Sequence, residues 1–110
     1  MSVMTDVQSV PANTTIANAV AGKTHEFISE PSVISLFALA SAAGMKVTLI
    51  VGEEVAVEDQ EIGVGTTLPT IPYNLVGQAG GFPGDRVVLK LHNTTGGALT
   101  AWTRVDVEPA

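Results

Sequence analysis

The longest apolar passage in the chain, SVISLFALASAAGMKVTLIV, runs from Ser32 to Val51 and governs how the flanking segments are read. It has about the length that crosses a bilayer. Lys46 lies inside it, however, and a charge in hydrocarbon is costly. Ala43-Gly44 divides it at a turn, and each half is rich in strand formers: Val33, Ile34, Leu36 and Phe37 before, Val47, Thr48, Leu49, Ile50 and Val51 after. The pattern predicts an antiparallel hairpin rather than a membrane span. Its pairs would be Leu39 with Thr48 and Phe37 with Ile50 on one face, and Ala38 with Leu49 on the other. Both faces are then largely apolar, which suits a central hairpin covered on two sides, or covered on its outer side by another chain.

The same alternation marks other strands. Asp85–Asn93 and Leu99–Glu108 predict a second hairpin, with Leu91 opposite Ala101, Arg86 opposite Asp106 and Lys90 opposite Trp102, closed by a loop carrying Gly96 and Gly97. Gly52-Glu53-Glu54 reads as a turn. Val55 and Val57 alternate with Ala56 and Glu58 in a short strand that Gln60–Val64 continues beyond a bulge at Asp59. Lys23–Glu30 reads as a short strand ended by Pro31. Gly65–Pro83 is rich in Pro and Gly and leaves room for a brief strand around Tyr73–Val76. A loop of this length in a small domain is usually functional. Residues 1–22 hold few large apolar side chains, with Val7, Val10, Ile16 and Val20 irregularly spaced. They predict an extended N-terminal arm with one short strand over Thr14–Val20, serving either as an edge strand of the domain or as an arm on a neighbouring subunit. Helical periodicity is absent. About eight short strands joined by Pro- and Gly-rich turns predict an all-β fold: a single β-sandwich over residues 23–110, with the jelly roll as a form that fits.

Composition narrows the function. The 110 residues suffice for one domain, and the absence of cysteine fits a reducing compartment. MSVMTDVQSV lacks the basic and apolar regions of a secretory signal, so none is expected. The net charge is −6, and the basic residues Lys23, Lys46, Arg86, Lys90 and Arg104 are scattered. No basic stripe for phosphates results, so nucleic-acid binding is not expected. Charged residues make up 15% of the chain, against about a quarter in an average protein. Apolar area is therefore expected on the surface, where it usually marks partner contacts.

Candidate chemistry is sparse. Glu53, Glu54, Glu58, Asp59 and Glu61 could bind calcium or act as acid and base, but their spacing matches no calcium loop. They read as a solvated strand edge whose charge discourages aggregation. His25 and His92 lie far apart and do not suggest a zinc site. No serine occupies a nucleophile elbow. GQAGGFPG, from Gly77 to Gly84, is not followed by the lysine or the helix of a phosphate loop. The Asn-Thr-Thr triplets at Asn13 and Asn93 read as chance and turn chemistry respectively. No catalytic, metal or cofactor site is predicted. Phe82, between glycine and proline, is either tucked into the local core or an anchor for a partner.

The segment order resembles a known class. A Thr- and Ala-rich arm precedes EFISEPSVISLFALASAAGMKVTLIVGEEVAVEDQEI; the loop LPTIPYNLVGQAG and then GDRVVLKLHNTTGGALTAWTRVDV follow. From about Thr14 to Val107 the chain looks like the small all-β cement, or decoration, proteins of tailed-phage capsids. The resemblance implies no catalysis. It implies a protein made in the host cytoplasm that binds the outside of the virion capsid, bridges neighbouring major capsid subunits and acts as a dimer or trimer. It is one of style and segment order. Composition and resemblance together point to Val7, Val10 and Ile16 of the arm, and Ile71, Tyr73 and Phe82 of the loop, as contact residues. Two alternatives stay open: another virion part, such as a small jelly-roll capsid subunit or a fibre or head-binding module, and a carbohydrate-binding β-sandwich.

Overall fold

A computed structural model describes residues 2–23, 26–65 and 75–109. Alternating apolar and polar positions give β1 (Ser2–Val10), β2 (Thr15–Ile16), β3 (Ser32–Ala40), β4 (Met45–Val51), β5 (Glu54–Glu61), β6 (Gly63–Val64), β7 (Leu75–Gly81), β8 (Val87–Asn93) and β9 (Leu99–Pro109), with no helix among the described residues. The strands form two sheets. Sheet A runs β1-β9-β3, with β7 and β6 one after the other along the far edge of β3; sheet B runs β2-β8-β4-β5. β6 is parallel to β3 and every other pairing is antiparallel. Apart from β4 with β5 and β6 with β7, chain-adjacent strands lie in opposite sheets, the interleaving of a jelly-roll sandwich.

This interleaving overturns both expected hairpins. β3 pairs with β9, placing Phe37 opposite Arg104 and Leu39 opposite Trp102. β4 pairs with β8, placing Thr48 opposite Lys90, Leu49 opposite Leu89 and Ile50 opposite Val88. Leu91 meets Val47 and Ile16 rather than Ala101, while Ala101 meets Gln8 and Ala40. Arg86 bonds Glu26, and Asp106 bonds Arg104 on its own strand. The reason lies in the burial of β3: all its residues but Val33 are withdrawn from solvent, so it needs long partners on both edges, and a mid-sheet position supplies them. The Ser41–Gly44 segment is a corner between sheets. The Ser41 N–H donates to the Thr100 carbonyl at 2.9 Å, the Thr100 N–H to Ser41 Oγ at 3.0 Å and the Thr94 N–H to the Gly44 carbonyl at 3.0 Å. Gly44 takes φ 109°, which disfavours any side chain there.

The core is the space between the sheets. Ile34, Leu36, Ala38 and Ala40 of β3, with Ala101, Val105 and Val107 of β9, face Met45, Val47, Leu49 and Val51 of β4 and Val87, Leu89 and Leu91 of β8. Each fully buried Leu or Ile contributes about 1.5–3 kcal/mol relative to exposure. β1 belongs to this core too. It pairs along β9 from Ser2–Val107 to Val10–Leu99, and Met4 and Val10 are buried. The arm is thus extended, and its first part is an edge strand of the sandwich.

Two local readings change. Lys23–Glu30 is not a strand over its described residues: one bridge, Phe27 to Arg86, is all the ladder it makes. The glycine-rich stretch, by contrast, is a strand. Gly77, Ala79 and Gly81 of β7 point inward, where a Cβ on Gly77 would collide with Val57 and one on Gly81 would stand 3.0 Å from Ile34 Cδ1. Glycine lets the two sheets close on each other at this rim.

Side chains finish what short strands leave open. β2 ends after Ile16, and Asn18 takes over: its Oδ1 accepts from the Leu89 and Val20 N–H groups, and its Nδ2 donates to the Val87 carbonyl. Asn93 is fully buried. Its Nδ2 donates to the carbonyls of Val10 at 3.0 Å, Pro11 at 3.2 Å and Gly97 at 2.8 Å, while its Oδ1 accepts from the Thr95 N–H and hydroxyl. One amide thus ties the end of β1 to β8 and to the β8–β9 loop. Glu26 accepts from the Gly22 N–H at 2.9 Å and from Arg86 Nε at 2.7 Å. The Gly22 N–H first, and Arg86 second, hold its carboxyl below the ordinary range.

Asn93→Ala should cost about 3 kcal/mol, because it strands buried carbonyls; an unchanged urea midpoint would contradict this. The Glu26 contact stabilises the fold above the unfolded carboxylate range and is lost as pH falls through the lower folded value. Glu26→Gln should therefore be less stable than wild type at neutral pH, the gap closing in strong acid. Urea midpoints at both extremes measure it, and a gap constant with pH would show that the charge plays no part.

Candidate functional surfaces

Strand register defines two surfaces, one on the outer side of each sheet. On sheet A, the pairs put Val7, Trp102 and Leu39 in one row across β1, β9 and β3. Thr5, Arg104, Phe37 and Leu75 form the next row, and Val3, Asp106, Ser35 and Gln78 the one after. Val7 is 56% exposed, Val3 44% and Leu75 45%. Phe37 and Leu39 lie on this outer side yet are buried, and Gly65 contributes by passing so close that a Cβ there would stand 2.9 Å from Leu39 Cδ1. Charge in the middle of the face cancels locally. Arg104 Nε donates to Asp106 Oδ1 at 2.8 Å, and Gln78 Nε2 bonds Ser35 Oγ at 2.8 Å. The face is therefore mixed: exposed apolar side chains stand among polar groups that are paired with one another.

The residues anticipated as contacts are dispersed. Val7 is on this face. Val10, the inward residue at the end of β1, is fully buried and withdrawn from any partner. Ile16 packs half-buried against the core. Phe82, 68% exposed, follows β7 at the turn Phe82–Asp85, where the Phe82 N–H donates to Asp85 Oδ2. Ile71 and Tyr73 lie outside the described residues. Sequence reasoning missed Val3, Trp102 and Leu75. Alternation within each strand would have placed each on a face, but not the strands side by side.

On sheet B the outer rows are polar at one end and apolar at the other. Thr15, His92, Lys46 and Glu61 form one row; Lys90 and Thr48 sit next to it; Val88, Ile50 and Val55 follow. Between β5 and β2 this face is hollowed into a cleft of ≈ 350 Å³, lined by Thr15, Thr48, Ile50, Val55, Glu58, Asp59, Lys90 and His92. The bulge anticipated at Asp59 forms one wall. Pairing jumps from Val57 to Gln60 on β5 while β4 advances only from Leu49 to Val47. Asp59 takes the left-handed conformation, φ 46°, its N–H donates to Thr48 Oγ1 at 3.0 Å, and its carboxylate stands 3.9 Å from His92 Nδ1. The acidic residues Glu53, Glu54, Glu58, Asp59 and Glu61 are all exposed along β5 and its turn, the free edge of sheet B. Among the described residues, no three His, Asp or Glu side chains converge as a metal site would require.

The bulge makes its own prediction. Asp59→Asn should keep stability within about 0.5 kcal/mol, since Asn tolerates the left-handed region. Asp59→Val should cost about 1–2 kcal/mol. Equal urea midpoints for the two variants would mean the bulge relaxes freely.

No protein family, curated protein or solved structure matches this chain.

Proposed function

We propose that this chain is a non-enzymatic structural protein of a virus particle: a cement protein that binds the outer shell of a tailed-phage capsid and clamps neighbouring major capsid subunits. The observation that carries this reading is the outer face of sheet A. Its exposed apolar residues, Val3, Val7 and Leu75, share the face with a neutralised Arg104–Asp106 pair, while the cluster Glu53, Glu54, Glu58, Asp59 and Glu61 lies on β5 and its turn in the other sheet. A low-charge sheet face bearing exposed valines is the kind of surface that partners cover. The resemblance in segment order supplies the identity of the partner.

The physical mechanism is multivalent clamping. Each copy contributes a modest contact, but a copy or small homo-oligomer that touches several capsid subunits makes the later contacts intramolecular. Rupture of the shell must then break them together. One second reading has support from the strand order, since jelly rolls also build viral shells directly. Copy number separates the two: a cement protein accompanies a larger shell protein, whereas a shell-forming jelly roll is itself the most abundant component.

The test is purification of intact particles from the source, with the chain quantified against the major capsid protein. A fixed simple ratio is expected; absence from the particles ends the reading. Removal of residues 1–11 is a poor probe, because it takes away β1 and the core residues Met4 and Val10. Val7→Asp is better, placing an unpaired carboxylate where the partner would desolvate it. It should weaken shell binding at least ten-fold, about 1.4 kcal/mol, with an unchanged melting temperature. Full occupancy by this variant would remove sheet A from the contact.

A further inference from the structure

We propose that the cleft on the outer side of sheet B is a binding site for a neutral saccharide. Its ≈ 350 Å³ lies at the lower end of the range for small-ligand sites, about 300–1,000 Å³. Its chemistry is divided. Ile50 and Val55 form an apolar corner, and the remainder offers the Thr48 hydroxyl, the Asp59 carboxylate, the Lys90 ammonium and the His92 imidazole. A pyranose has the matching division: a face of C–H groups, and a rim of hydroxyls that each donate and accept. Carboxylate accepts, ammonium donates, and hydroxyl and imidazole do either, so the lining can satisfy such a rim.

Other ligand classes fit less well. An anion would meet Glu58 and Asp59 against Lys90 as the permanent cation, on a chain of net charge −6. A metal ion lacks a set of three ligands among the described residues. A long apolar ligand would find polar groups over most of the lining. The site is also pre-shaped. Lys90, His92, Thr48 and Ile50 are locked by the β4–β8 register, and the bulge turns Asp59 toward His92 in a backbone conformation that an L residue adopts at a cost.

Because sheet B backs onto sheet A, the cleft stays open when the outer face of sheet A is covered. The proposal does not depend on what covers it. The cleft lining carries no Phe, Tyr or Trp on which a sugar ring could stack, so a single site binds weakly and is read best in multivalent form.

The experiment presents the whole chain on a tetravalent carrier to a printed array of neutral and sialylated oligosaccharides. Retention by neutral glycans is expected, reduced at least ten-fold in Asp59→Asn and in His92→Ala. Circular dichroism and melting should show both variants folded as wild type; Asn keeps the left-handed turn, and His92 lies outside the core. Three results overturn the proposal: no neutral glycan retained, retention of sialylated glycans alone, or neutral binding that both variants leave intact. None of these bears on shell binding through sheet A, which is read by particle occupancy.

Discussion

The packing of sheet A on sheet B is the interaction that everything else in this protein depends on. In a meander, neighbours in sequence are neighbours in a sheet, and local ladders hold the chain together. Here β3 and β4 part into different sheets, as do β8 and β9. Hydrogen bonds within a sheet therefore join distant segments, such as β1 to β9 and β3 to β9. Ile34, Leu36, Leu49 and Leu89 lie in the one buried cluster that the two sheets share. Loop closure must be completed before such contacts stabilise anything. Polar anchors, chiefly Asn18 and Asn93, then hold the places where short strands and corners leave backbone groups unpaired.

That packing also sorts the surface. Each inner face takes alternate residues of every strand, and the outer faces keep what remains. On sheet A the remainder includes Val3, Val7, Trp102 and Leu75 among paired polar groups; on sheet B it is polar at one end and apolar at the other, with a cleft beside the bulged edge. The free edges differ in the same spirit. β5 carries carboxylates and a bulge, whereas β1 carries an inward-facing charge, Asp6, whose carboxylate lies 3.9 Å from Lys23 Nζ. Both devices blunt sheet-to-sheet growth. Association through a face is left available while association through an edge is discouraged.

Parts of this were legible before any coordinates. The alternation of β4, β8 and β9 is plain in the chain, as are the turn after Val51 and the bulge at Asp59. β1 was obscured by Asp6 and Gln8, polar residues at inward positions beside Met4 and Val10. β7 was obscured by its glycines, which usually interrupt strands and here serve a rim too tight for Cβ atoms. The contact residues fared according to parity. Val7 and Val10 look alike in sequence, yet three positions apart on one strand they face opposite sides, and only Val7 reaches solvent.

The amino-acid sequence by itself determined that this is an all-β protein, where most strands lie, and which residues in each share a face. It did so because a strand's two-residue period is a local property of side chains. Which strands pair, which face is covered and which residues meet in the sheet B cleft were decided only in the tertiary structure. An alternating strand accepts any alternating partner, so pairing is chosen by the global fit of two sheets around one core. No local pattern records that choice.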